Sequence, residues 1–346
     1  MNPHAKLTFS LSLMLGTAIT ISSNHWMMAW TGLEINTLAI IPLISKSHHP
    51  RAIEAAIKYF LVQAAASALL LFSSMINAWH TGQWDITQLN HPTSSLLLTT
   101  AIAMKLGLVP FHFWFPEVLQ GSPLITAMLL STVMKFPPIT ILFLTSHSLN
   151  PTLLTTMAIA SAALGGWMGL NQTQIRKILA FSSISHLGWM SIILIYSPKL
   201  TLTTFYIYCA MTGAIFLTLN TTKSLKLSTM MTSWTKTPML NTTLVMTLLS
   251  LAGLPPLTGF LPKWLIIQEL SKQEMTTSAT IIAILSLLSL FFYLRLAYYS
   301  TITLPPNPTN HMKQWHINKP TSTLIATLSS MSTLLLPLSP MTLALI

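Results

Sequence analysis

Apolar runs of about twenty residues, separated by short polar or proline-bearing stretches, recur along the whole chain. Runs of that length match the ~30 Å thickness of a bilayer core. They predict eleven spans: Leu7–Ile21, Trp26–Ile44, Ala52–Trp79, Ser94–Val109 with a proline-bounded continuation to Gln120, Pro123–Thr145, Pro151–Leu170, Ile175–Tyr196, Leu200–Thr221, Pro238–Leu270 interrupted at Gly253–Pro256, Thr276–Ser300 and Thr323–Ile346. No alternation of about ten residues recurs, which argues against a β-barrel. The expected fold class is an all-α polytopic membrane protein.

Composition agrees. Of 346 residues, 52% are hydrophobic and 7% charged, where a soluble domain carries about 25% charged residues. This excludes a soluble globule and a disordered chain. The single cysteine, Cys209, excludes a disulfide framework and a thiolate-held iron–sulfur cluster. The net charge of +11 could suggest nucleic acid, but the basic residues form no stripe with interleaved aromatics, so no nucleic-acid partner is expected.

The basic residues instead orient the spans. Alternating sides puts Lys6, Lys46, Arg51, Arg176, Lys177, Lys223, Lys226, Lys236, Lys313 and Lys319 together, against Lys199 and Lys272 on the other side. By the positive-inside rule the N-terminus lies inside and the C-terminus outside. No small-residue cleavage site follows the first apolar run, so it is read as a retained span.

Five basic residues remain. Lys58 and Arg295 lie near span ends, where long side chains reach the interface. Lys105 is eleven residues from Ser94 and Lys135 twelve from Pro123. At 1.5 Å per residue each sits roughly 16–18 Å deep, near the middle of the core. Lys263 lies just beyond the break in the ninth span, and Glu34 is eight residues into the second. Each intramembrane charge costs at least ~2.5 kcal/mol, and such residues mark ion or proton pathways. One acid and three lysines cannot all be structural pairs. His186, with Ser185 and Ser182 one and four residues before it, can hold water and relay a proton. His112 reads as a packing residue, and His48 and His49 as solvated. No other ligand-type residue lies at metal-binding spacing inside the spans. No phosphate loop, nucleophile elbow or dinucleotide fingerprint is present, so redox cofactors are expected elsewhere.

Residues Gly107–Leu119 and Gly253–Leu265 both read G-L-x-P-x5-P-x2-L, at an offset of 146. Each copy interrupts a span, and its prolines remove backbone donors, so breaks are expected at Gly107 and Pro110 and at Gly253, Pro255 and Pro256. Five spans separate the copies. Five is odd, so the second copy is inverted. The predicted organisation is a five-span repeat over 1–149, an inverted repeat over 150–302, and a loop with an eleventh span over 303–346. Inverted repeats whose broken helices meet at the midplane are a transporter architecture. Broken backbone at that depth lines a cavity or is buried in protein. Together with midplane lysines this points to a path for protons or small cations.

These residues carry a resemblance. Gln174–Gly188, reading QIRKILAFSSISHLG, and Met104–Glu117, reading MKLGLVPFHFWFPE, resemble the two signatures of the antiporter-like subunits of respiratory complex I, which are related to Mrp-type cation/proton antiporters. The resemblance covers essentially the whole chain. It implies that Glu34 is the carboxylate of an ion pair, Lys105 its partner on the first broken helix, Lys135 a connecting lysine, His186 a connecting polar group and Lys263 the terminal lysine. It implies proton translocation coupled to quinone reduction. NADH, FMN, iron–sulfur clusters and ubiquinone would be held by partner subunits, with membrane-arm and accessory subunits and lipids as neighbours. The 20 methionines and many threonines resemble a mitochondrially encoded vertebrate protein. The expected location is therefore the mitochondrial inner membrane, N-terminus in the matrix and C-terminus in the intermembrane space. Bacterial members carry three further N-terminal spans and the distal member a long lateral helix; both are absent, so other subunits are expected to cover the first spans. A stand-alone cation/proton antiporter and a structural scaffold are the alternatives. A sodium site would want several intramembrane carboxylates, and Glu34 is the one acid placed there.

Overall fold

A computed structural model describes residues 2–233, 237–301 and 322–339. Lys236, Lys313, Lys319 and the end of the eleventh span, with the predicted side of the C-terminus, lie outside them. The described residues are helical, with no strand beyond two isolated bridges. The chain forms two compact units, Met1–Ser161 and Ala162–Ile346.

The first unit contains α1 (Pro3–Ser22), α2 (Trp26–Ile44), α3 (Pro50–Thr81), α4 (Pro92–Leu106), α5 (Trp114–Gly121), α6 (Leu124–Ser131) and α7 (Phe136–Leu144). Proline opens α1, α3 and α4, where a missing N–H costs nothing. Helix α3 packs against α2, α4 and α5, and α1 lies along α2. That last contact is made by small residues. A Cβ at Gly32 would stand 2.6 Å from the Thr20 methyl and 2.9 Å from the Gly16 carbonyl oxygen. Close backbone approach of this kind drives helix pairing in lipid, where apolar surface alone does not. We therefore expect Gly32→Val to push α1 off α2 at a cost of about 1–3 kcal/mol, read as less full-length chain in the assembled band of a native gel.

Helix α8 (Pro151–Gly169) leads into the second unit, which holds α9 (Ile175–Ile193), α10 (Pro198–Thr222), α11 (Leu227–Ser233), α12 (Pro238–Ala252), α13 (Phe260–Lys272), α14 (Thr276–Thr301) and α15 (Thr323–Leu334). Helix α10 packs on α12 and α15, and α14 on α12 and α13. Helix α9 is buried along nearly its whole length despite four serines. Ser182, Ser183, Ser185 and Ser191 each donate to the carbonyl three residues back, at 2.7–3.1 Å, so their hydroxyls are satisfied within the helix.

Among the described residues seven helical stretches are long and apolar enough to cross a membrane, with Leu124–Leu144 (α6 and α7) counted as one, and α12 and α15 are shorter apolar helices. The chain is a multi-pass membrane protein. Two interruptions fall where the prolines predicted them, between α4 and α5 and between α12 and α13. A third was not predicted. The fifth span is not one helix: α6 ends at Ser131, a 3₁₀ turn covers Val133–Lys135, and α7 starts at Phe136. Pro137 and Pro138 lack the donors that would close bonds onto Val133 and Met134. Two readings of basic residues also change. Lys58 bridges Glu54 at 2.5 Å and Glu117 at 2.6 Å, tying α3 to α5, and is not a lone interfacial side chain. Arg295 turns inward, donating to the carbonyls of Leu170 and, at 3.0 Å, Gln172 beyond the end of α8.

Candidate functional site

Each break begins with a glycine in the left-handed region, φ 78° at Gly107 and 80° at Gly253, and a cis peptide bond precedes Pro110 and Pro256. A helix stopped in mid-core leaves carbonyls that no water can reach, so side chains must meet them. At the first break the amides of Gly107 and Leu108 both donate to Ala103. The indole of Trp114 donates to the Met104 carbonyl at 3.2 Å, and the Gln63 amide to that of Lys105 at 3.5 Å. At the second break the Gly253 amide donates to the Ser250 carbonyl at 2.9 Å, and a cation meets the last carbonyl: Lys263 Nζ donates to Ala252 at 2.7 Å.

The two lysines are therefore not equivalent. The 146-residue offset pairs Lys263 with Glu117 and Lys105 with Leu251. Lys105 sits in the last turn of α4, before its break, whereas Lys263 sits in the first turn of α13, after its own, and reaches back. Both positions place an ammonium at the carbonyl end of a helix, where the partial negative charge favours it.

Lys135 closes the 3₁₀ turn in the fifth span. It is buried, and its Nζ lies 4.6 Å from the centre of the Phe115 ring, a cation–π distance. Glu34, on α2, accepts a 2.9 Å bond from the Thr37 hydroxyl. The expected pair with Lys105 is not closed: the ion pairs among the described residues are Lys58 with Glu54 and Glu117, and Lys272 with Glu269. Lys105 is buried, and its Nζ has no hydrogen-bond partner among the described residues.

Two cavities bring these residues together, one in each unit. The first, about 20 Å³, is lined by Lys105, Lys135, Asn36, Thr37, Tyr59 and Gln63, among others. It joins both lysines to the threonine that holds Glu34. The second, also about 20 Å³, is lined by His186, Trp189, Met211 and Lys263 with hydroxyl-bearing residues of α10. Each is large enough for about one water. His112 is buried against Phe113 and lines neither cavity.

Residues 23–289 match the family described as NADH:quinone oxidoreductase/Mrp antiporter transmembrane proteins, and residues 290–343 match the NADH dehydrogenase subunit 2 C-terminus. The chain belongs to this antiporter family. Relatives named NADH-ubiquinone oxidoreductase chain 2 share its full length. That of Struthio camelus is 78% identical over 344 residues, covering 99% of both chains, and that of Coturnix japonica 76% over 341, again 99% of both. A chain in respiratory complex I from Thermus thermophilus superposes with a TM-score of 0.84 at 25% identity, over 97% of this chain and 80% of that one. A chain of the Mrp complex from a Dietzia species shares the fold at a TM-score of 0.80 and 19% identity, over 87% of this chain and 61% of that one.

Sequence reasoning missed the walls of the first cavity. Tyr59 and Gln63 belong to a buried stripe on α3 that continues through Ser67, Leu70, Ser74 and Asn77. Polar residues at three- and four-residue spacing inside an apolar span were the available signal.

Proposed function

We propose that the chain is a proton-translocating membrane-arm subunit of an NADH:ubiquinone oxidoreductase. Glu34, Lys105 and Lys135 form the leg in the first unit, and His186 and Lys263 the leg in the second. The observation that carries this reading is that each unit holds a small cavity beside a helix break whose walls include titratable residues singled out in the sequence, Lys105 and Lys135 in the first and His186 and Lys263 in the second. A cation in a low-dielectric interior binds its proton weakly, and a nearby carboxylate strengthens it. The open Glu34–Lys105 arrangement is then one position of a switch. Drawn together, the pair holds a proton on Lys105; drawn apart, the ammonium gives it up through the shared cavity to Lys135. Each pKa unit is worth about 1.4 kcal/mol, and moving one charge against 100 mV costs about 2.3 kcal/mol. Shifts of a few units suffice.

The redox chemistry is assigned to partner subunits: NADH, FMN, iron–sulfur clusters and ubiquinone would be bound there, and this chain's single cysteine supports that division. Its neighbours would be other membrane-arm and accessory subunits and lipids. The methionine-rich composition and the loop charges support the mitochondrial inner membrane, with the N-terminus in the matrix and the C-terminus in the intermembrane space.

Glu34→Gln tests the switch. The amide still bonds Thr37 but carries no charge. Assembly by native gel should be retained, while quinone-coupled proton pumping in the same membranes falls several-fold. Pumping at the wild-type ratio would remove the switch, and failure to assemble would favour a structural role. Cation/proton exchange by the purified chain in liposomes, without partners, would instead support a stand-alone antiporter.

A further inference from the structure

We propose that Tyr208 is a relay residue that passes protons between His186 and Lys263 by exchanging its hydroxyl proton; the inference rests on the translocation reading above. Tyr208 lies on α10, fully buried, with its ring centre 5.5 Å from that of His186. It lines the same cavity as His186 and Lys263. Its hydroxyl is paired with Ser183 on α9, which gives the phenol a bonded rest position from which it can turn. Thr204, one turn earlier on the same face, adds a second oxygen to the cavity wall. Its own proton is committed to the Thr201 carbonyl at 2.9 Å, which leaves that oxygen as an acceptor.

A phenol fills this space only with a bonding partner supplied for its hydroxyl. Burying a hydroxyl costs about 1–3 kcal/mol unless it is bonded, and a phenylalanine ring occupies the same volume without that cost. Phe205, three residues away and equally buried, shows that apolar packing is available on this helix. The hydroxyl can both accept and donate. A proton arriving from the His186 side bonds to the phenol oxygen as the original hydroxyl proton leaves toward Lys263, directly or through a cavity water. No charge remains on the ring, and rotation of the hydroxyl onto Ser183 resets it. Tyr208 needs no ionisation for this.

The test compares Tyr208→Phe, Tyr208→His and Lys263→Met in the assembled enzyme. Expected for Tyr208→Phe are normal assembly, proton pumping per electron reduced several-fold, and an altered solvent deuterium isotope effect on coupled turnover. Tyr208→His restores a relaying group and should recover part of the pumping. Full pumping in Tyr208→Phe alongside loss in Lys263→Met overturns the relay and leaves the translocation reading standing. Full pumping in Lys263→Met overturns that reading itself. Equal losses in Tyr208→Phe and Tyr208→His, with an unchanged isotope effect or with failed assembly, would make Tyr208 a packing residue and overturn the relay.

Discussion

Lys105→Met is expected to give an assembled enzyme that has lost most of its quinone-coupled proton pumping. Methionine keeps the length and apolar body of the side chain and deletes the titratable group. The Lys105 ammonium is buried and has no hydrogen-bond partner among the described residues, so its removal breaks no bond. Lys105 is in no closed ion pair among the described residues, so the cost of about 3–5 kcal/mol for breaking a buried pair does not arise. The carbonyls of the broken helix stay covered, because Trp114 and Gln63 meet them rather than Lys105. Structure and pumping should therefore separate: a normal native-gel band and thermal stability, with the proton-to-electron ratio well below wild type. The scaffold alternative predicts the opposite for the ratio. A normal ratio in the assembled variant would sink the assignment of Lys105.

The features legible in the sequence were the local ones. Gly107 with Pro110 and Gly253 with Pro255–Pro256 announce helix breaks because a missing donor and a left-handed residue act within one turn. The buried lysines Lys105 and Lys135 were visible because their place inside a span follows from counting residues along a helix. Partners distant in the chain were not visible. Lys58 and Arg295 looked like interfacial side chains, yet Glu117 is 59 residues from the first, and Leu170 and Gln172 are 125 and 123 from the second. The same limit hid the reach of Lys263 back across its break to the Ala252 carbonyl, although the 146-residue offset already set it apart from Lys105. The interruption at Lys135 is local yet was missed: Pro137 and Pro138 stand inside an apolar run that reads as one span.

Gly253→Ala should disable the second unit in a way that Gly107→Ala does not disable the first. Both glycines have φ near +80°, so an alanine at either costs about 1–2 kcal/mol in backbone strain. Beyond that cost the two positions differ. A Cβ at Gly107 would meet Phe115 and Trp114 at 3.6 Å, an ordinary contact. A Cβ at Gly253 would stand 2.9 Å from Cδ, Cε and Nζ of Lys263. The flexible lysine end can move, but moving takes its ammonium off the Ala252 carbonyl that holds it at 2.7 Å. The Ala252 carbonyl then loses its donor and Lys263 its position at the cavity. Gly107→Ala is expected to lower the melting temperature of the assembled enzyme slightly while keeping its pumping ratio. Gly253→Ala should lower both, with a pumping loss approaching that of Lys263→Met. The double variant Gly253→Ala/Lys263→Met should pump no worse than Lys263→Met alone, because the glycine acts on pumping through that side chain. An additive loss in the double variant, or equal pumping ratios in the two alanine variants, would show that Gly253 serves the turn only.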